Sequence, residues 1–124
     1  MKVVLLDDSP IVLAATKDRL EEAGIQVVTT DNPFLLGSVV RRELPDVVLL
    51  DVVMPMVQGD DVAKIVRENH SVAEVPFVLY SDAPELTLAR KAYECGAVGF
   101  IRKGVSDEEL AREIRRFAAV APPR

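Results

Sequence analysis

Two carboxylates stand side by side at Asp7 and Asp8, directly after the unbroken apolar run Val3 to Leu6. A third, Asp51, directly follows the run Val47 to Leu50. If both runs are strands of one open parallel sheet, the acids leave it at C-terminal strand ends, the edge where such sheets bind ligands. Like charges brought together there are unfavourable unless a cation lies among them. Hard oxygen donors with room for water suit Mg2+. Ser81 follows the run Phe77 to Tyr80, and Lys103 follows Val98 to Ile101, so a hydroxyl and an ammonium reach the same edge. Metal, hydroxyl and ammonium around a carboxylate suit a phosphoryl group: metal and Lys neutralise its equatorial oxygens, and Ser donates a hydrogen bond. Asp51 can serve as nucleophile, because aspartyl phosphates are an established covalent form. Any one of these acids alone is an ordinary turn residue after a strand; the triplet on adjoining strand ends is what argues for a site.

The elements that must position these groups follow from pattern. The runs Val3 to Leu6, Val47 to Leu50 and Phe77 to Tyr80 are apolar at every position, and Ile25 to Val28 and Val98 to Ile101 (with Gly99 inside) complete a set of five. Absence of alternation indicates strands covered on both faces, as in a parallel sheet. Ser9 and Pro10 read as N-cap and first position of a helix running to about Ala23, with Val12, Ala15, Leu20 and Ala23 inward and Gly24 as its stop. A second helix, from about Phe34 to Glu43, turns Leu36, Val39 and Val40 inward and is ended by Pro45. A third spans about Asp60 to Glu68, with Val62, Ile65 and Val66 inward and Asp60 and Asp61 at its N-terminus. A fourth lies near Pro84 to Glu94, before Gly96. The fifth runs from about Asp107 to Val120, with Leu110, Ile114, Phe117 and Ala121 as one apolar stripe and Ser106 with Glu109 as a capping box. Five strands alternating with five helices predict right-handed crossovers and a doubly wound (βα)5 domain over residues 1–120. Residues 121–124, Ala-Pro-Pro-Arg, read as a frayed tail or the start of a linker.

Composition sets outer bounds. At 124 residues, with 49% apolar and 28% charged positions, the chain has the profile of one soluble globular domain. Fifteen basic against twenty acidic residues give a net charge of −5, which argues against a nucleic-acid backbone as main partner. One cysteine excludes a disulfide framework and a cysteine-rich metal site. The opening apolar run is too short for a signal peptide or a membrane span, so a reducing, cytoplasmic setting is expected.

Asp7-Asp8 after the first strand, Asp51-Val52-Val53-Met54-Pro55 with Gly59 after the third, Ser81 after the fourth, and Phe100 with Lys103 on the fifth resemble the receiver domain of two-component response regulators. The resemblance covers about residues 2–120. It implies a flavodoxin-like fold with strand order 2-1-3-4-5. It implies Asp51 as phosphoacceptor, supplied by a histidine kinase, a phosphotransfer protein or a small phosphodonor. Asp8, Asp51 and the backbone carbonyl of Val53 would ligate Mg2+, with Asp7 acting through water. Ser81 and Lys103 would bind the phosphoryl group. Phe100 would be the aromatic switch that turns inward as Ser81 moves, reshaping the surface of the fourth helix, fifth strand and fifth helix. Expected partners are the kinase, a downstream effector or fused output domain, and a second copy in a phosphorylation-dependent homodimer. No direct binding of nucleic acid or membrane is expected, and no turnover beyond the domain's own phosphorylation and dephosphorylation.

Three positions depart from the family pattern. Asp82 stands where Ala or Gly is usual, and would either narrow access and repel an anionic donor or cap the fourth helix. Gly104 replaces the usual Pro, which predicts a looser turn after Lys103 and no cis peptide there. Val53 offers no side chain to position a hydrolytic water, which predicts slow self-dephosphorylation. His70 reads as an exposed loop residue, Cys95 as a small semi-buried apolar residue, Tyr80 and Met54 as packing. Arg112, Arg115 and Arg116 read as a solvated helix face or an output contact. Two other readings compete. A pseudo-receiver would act as a protein-binding module without phosphate. A haloacid-dehalogenase-type phosphohydrolase would place its acids as Asp-x-Asp on the first strand and carry a cap domain; the acids here are adjacent, and 124 residues leave no room for a cap.

Overall fold

The computed structural model describes residues 1–51 and 74–120. In chain order these form β1 (Lys2–Leu6), α1 (Pro10–Glu22), β2 (Gln26–Thr30), a 3-10 turn (Pro33–Leu35), α2 (Leu36–Glu43), β3 (Val47–Leu50), β4 (Phe77–Ser81), α3 (Glu85–Cys95), β5 (Gly99–Arg102) and α4 (Asp107–Ala118). The helix expected over 60–68, together with Val53, Met54, Pro55, Gly59 and His70, lies outside the described residues, as does the tail 121–124.

The strands form one parallel sheet in the order β2-β1-β3-β4-β5, the doubly wound order expected. The apolar runs are continuous because both faces are covered. On one face Val4, Leu6, Val48, Leu50, Phe77 and Leu79 pack with Leu36, Val39 and Val40 of α2 and Leu88, Ala92 and Cys95 of α3. On the other, Val3, Leu5, Val47, Leu49, Val78, Tyr80 and Ile101 pack with Leu13 and Leu20 of α1 and Leu110, Ile114 and Phe117 of α4.

Helix ends follow their local chemistry. Ser9 Oγ accepts from Val12 N at 3.3 Å, with Pro10 opening α1, and Ser106 Oγ accepts from Glu109 N at 3.1 Å at the start of α4. The inward face of α1 differs from expectation. Leu13, Thr16 and Leu20 are buried, whereas Ala15 is exposed and Val12 and Ala23 are half-buried. Spacings of three and four fit both sets, and the larger Leu13 side chain decides which faces the sheet. Phe34, expected to open the second helix, lies exposed in the 3-10 turn, where Asn32 Oδ1 accepts from its N–H at 2.9 Å.

Candidate functional site

Register brings the acids together. Leu6 pairs with Leu50, so the next residues, Asp7 and Asp51, leave the sheet side by side. The backbone ladder continues past the strands: Asp51 N donates to Leu6 O at 3.0 Å, Asp7 N to Thr30 O at 3.3 Å and Lys103 N to Ser81 O at 2.9 Å. The site residues thus inherit the rigidity of the sheet. One carboxylate oxygen from each of Asp7, Asp8 and Asp51 lies within 4.8 Å of the others. Asp7 and Asp51 are buried, and Asp8 is exposed.

Lys103, directly after β5, closes the cluster. Its Nζ donates to Asp7 Oδ2 at 2.7 Å and to Asp51 Oδ2 at 3.3 Å. Asp7 Oδ1 accepts from Ser9 N at 2.9 Å. Burial pulls the Lys103 ammonium toward a lower pKa. The hydrogen bond to Asp7, with the charges of Asp51 and Asp7, outweighs that and raises it above the ordinary lysine value. The residue is therefore a fixed cation at neutral pH.

The cluster suits a hard divalent cation. Lys103 offsets one of three carboxylate charges, which leaves two negative charges on oxygen donors. Their 4.8 Å span is near the ~4 Å across an Mg2+ octahedron. Asp8, Asp51 and Asp7 are the described side chains able to hold such an ion.

The pleat sorts the remaining residues. Ser81 is buried, and its Oγ accepts from Ala83 N at 3.2 Å. Phe100 pairs with Leu79 in register and is half-buried against the α2 and α3 layer, on the same face of β4 and β5 as Ser81. Asp82 is exposed and does not cap the following helix: the N-cap of α3 is Pro84, with no side-chain cap hydrogen bond. The capping role weighed for Asp82 is thus excluded, because Ser81 already supplies the turn's acceptor. Gly104 has φ +98, the left-handed conformation that glycine tolerates, and open space where a Cβ would stand. The described residues contain no cis peptide. The sequence marks Tyr80 as a packing residue. It is buried, but its ring also lies under Lys103, 5.6 Å from Nζ to centroid. No pattern in the sequence marks this contact: it depends on the β4–β5 register, in which Tyr80 pairs with Ile101, and on the turn that carries Lys103.

Comparison with known proteins agrees with this arrangement. The model of the response regulator receiver domain matches residues 3–115. The C4-dicarboxylate transport transcriptional regulatory protein DctD of Pseudomonas aeruginosa is 30% identical over 96% of this chain, which spans 25% of that relative. Protein PilH of the same organism is 27% identical over 95% of this chain and 98% of its own length. The BeF3-activated N-terminal receiver domain of Klebsiella pneumoniae RstA superposes with a TM-score of 0.81 at 25% identity, covering 97% of this chain and 100% of that one. A five-stranded 2-1-3-4-5 sheet with its acids and lysine gathered at one edge, matched along nearly its whole length by that family's model, belongs to the response regulator receiver domains.

Proposed function

We propose that Asp51 accepts the phosphoryl group through which this receiver domain signals. The observation that carries the reading is the convergence of Asp7, Asp8, Asp51 and Lys103 on one point of the sheet edge. An Asp51 carboxylate oxygen attacks phosphorus in line. The new O–P bond forms as the donor's N–P or O–P bond breaks, and the leaving imidazole or carboxylate keeps the bonding pair. Mg2+, held by Asp8, Asp51 and the Val53 carbonyl with Asp7 through water, would neutralise phosphoryl charge when bound. Lys103 exchanges its Asp51 contact for phosphoryl oxygens, and Ser81 turns its hydroxyl from the Ala83 N–H toward the same group. Ser81 and Phe100 share one side of the pleat, so movement of the hydroxyl opens space into which the ring turns. The surface of α3, β5 and α4 then changes shape, since packed layers switch between discrete arrangements.

The chemistry is confined to the domain's own carboxylate. Residues 1–120 form the receiver unit, supplied by a histidine kinase or phosphotransfer protein. The altered surface meets an effector, a fused output domain or a second copy. Among the described residues no helix is long and apolar enough to cross a membrane. Incubation with acetyl phosphate and Mg2+ is expected to add one phosphoryl group by intact mass, and Asp51→Asn to abolish it. A wild-type chain that gains no mass, and that does not respond to beryllofluoride, would leave the fold acting as a contact module without phosphate.

A further inference from the structure

We propose that Tyr80 is a positioning residue for Lys103: the buried ring is the floor on which the ammonium rests. The inference rests on Lys103 being the phosphoryl partner, and it names what aims that lysine. Lys103 Nζ is 5.6 Å from the Tyr80 ring centroid, within the ~6 Å over which an aromatic face attracts a cation. Tyr80 is 2% exposed, so the contact is sheltered from water on the ring side. The ring is held at both ends. Its base belongs to β4 and the core layer beneath α1 and α4. Its hydroxyl accepts from Arg19 Nη2 of α1 at 3.0 Å, and Arg19 Nε lies 3.2 Å from Oδ1 of Asp107, the first residue of α4. Three elements therefore converge on the orientation of one ring.

A floor of this kind answers a need local to this chain. Lys103 is a flexible side chain followed by Gly104 at φ +98, with nothing packed where a side chain would stand. The turn does little to aim it. In the resting domain Asp7 and Asp51 hold the ammonium, and the Asp51 contact must yield once Asp51 carries a phosphoryl group. An aromatic face attracts the ammonium without neutralising it, so it holds Lys103 in place and leaves its full charge for the phosphoryl oxygens.

The experiment replaces Tyr80 by Phe, by Leu and by a series of increasingly fluorinated phenylalanines, which keep the ring's shape while draining its negative face. In the metal-free protein the Lys103 ε-CH2 resonances are expected to be shielded by the ring in wild type and Tyr80→Phe, and unshielded in Tyr80→Leu. The initial rate of labelling by acetyl phosphate with Mg2+ is expected to stay within about twofold for Tyr80→Phe and to fall stepwise with fluorination, by about five- to tenfold at full substitution. Should Tyr80→Leu fail to fold, the isosteric series decides. Unshielded ε-CH2 protons in wild type, or a labelling rate flat across the fluorinated series, would overturn the proposal. Complete absence of labelling in wild type would instead remove the phosphoacceptor reading, while the ε-CH2 shift still decides whether Tyr80 holds the ammonium.

Discussion

Lys103 holds Asp7 more closely than Asp51, at 2.7 Å against 3.3 Å. Both oxygens of Asp7 are thereby engaged, one by this ammonium and one by the Ser9 N–H. Asp7 is as much an anchor for the lysine as a contributor to a metal site. This suits a role toward Mg2+ exercised through water. The exposed Asp8 makes no ion pair among the described residues and is the carboxylate with most to gain from a cation.

Asp8→Asn should therefore stabilise the metal-free protein while weakening its response to Mg2+. Removing one of three clustered negative charges relieves repulsion of about 1 kcal/mol at these separations in a watery setting. The two Lys103 ion pairs are left intact. Wild type should gain stability as Mg2+ is added, because the ion binds only the folded state. Urea unfolding of both proteins with and without Mg2+ checks this. A variant less stable than wild type in the absence of metal would contradict it.

The raised pKa of Lys103 gives stability a defined dependence on pH. Its proton is bound more tightly in the folded chain than in the unfolded one. The stabilising contribution is complete below the unfolded value of about 10.4 and drains away as pH climbs through the higher folded value. Lys103→Met leaves the buried Asp7 carboxylate without its ammonium and should cost about 3 kcal/mol, the low end for a buried pair that keeps some contact with water. The gap between wild type and variant should be flat from about pH 6 to 9 and narrow above about pH 10. Chemical unfolding across that range, without metal, is the measurement.

Much of this was legible in the chain, for identifiable reasons. Runs apolar at every position mark strands buried on both faces, and Asp7, Asp51 and Ser81 each follow such a run at once, while Lys103 follows the fifth run after Arg102, so all four were placed by strand ends alone. The inward face of α1 was not, because Ala15 and Leu13 both satisfy helical spacing and only packing against β2 chooses between them. The Asp7–Lys103 contact joins residues 96 apart and depends on where a flexible side chain settles. Arg19, Tyr80 and Asp107 meet across three elements whose relative rotation no local pattern encodes.

Gly99 shows how closely β5 is approached. A Cβ built there would overlap the ring of Phe117 in α4, and Phe117 is itself buried in the core. Gly99→Ala must push that ring aside and should cost about 1–3 kcal/mol, the range for overpacking a core. Phe117→Leu should recover part of the loss in the double variant, because it vacates the overlapping space, although alone it leaves a cavity. Thermal or urea unfolding of the two single variants and the double variant measures the coupling. Strictly additive losses would show that the approach is not the cause.

Asp82 remains as an exposed negative charge next to the buried Ser81 hydroxyl, with no capping duty to account for it. A donor such as acetyl phosphate arrives as an anion, and an exposed carboxylate beside Ser81 in the chain opposes it. Asp82→Ala should raise the initial rate of labelling by acetyl phosphate by about two- to fivefold at low ionic strength, with the advantage shrinking as salt screens the charge. Stability should change by less than about 0.5 kcal/mol, as for a surface substitution away from a cap. Labelling rates at two ionic strengths, alongside unfolding curves, separate this from a structural effect. A rate increase that survives high salt would mean that Asp82 obstructs the site by its bulk, and an unchanged rate would mean that its charge points away from the donor's path.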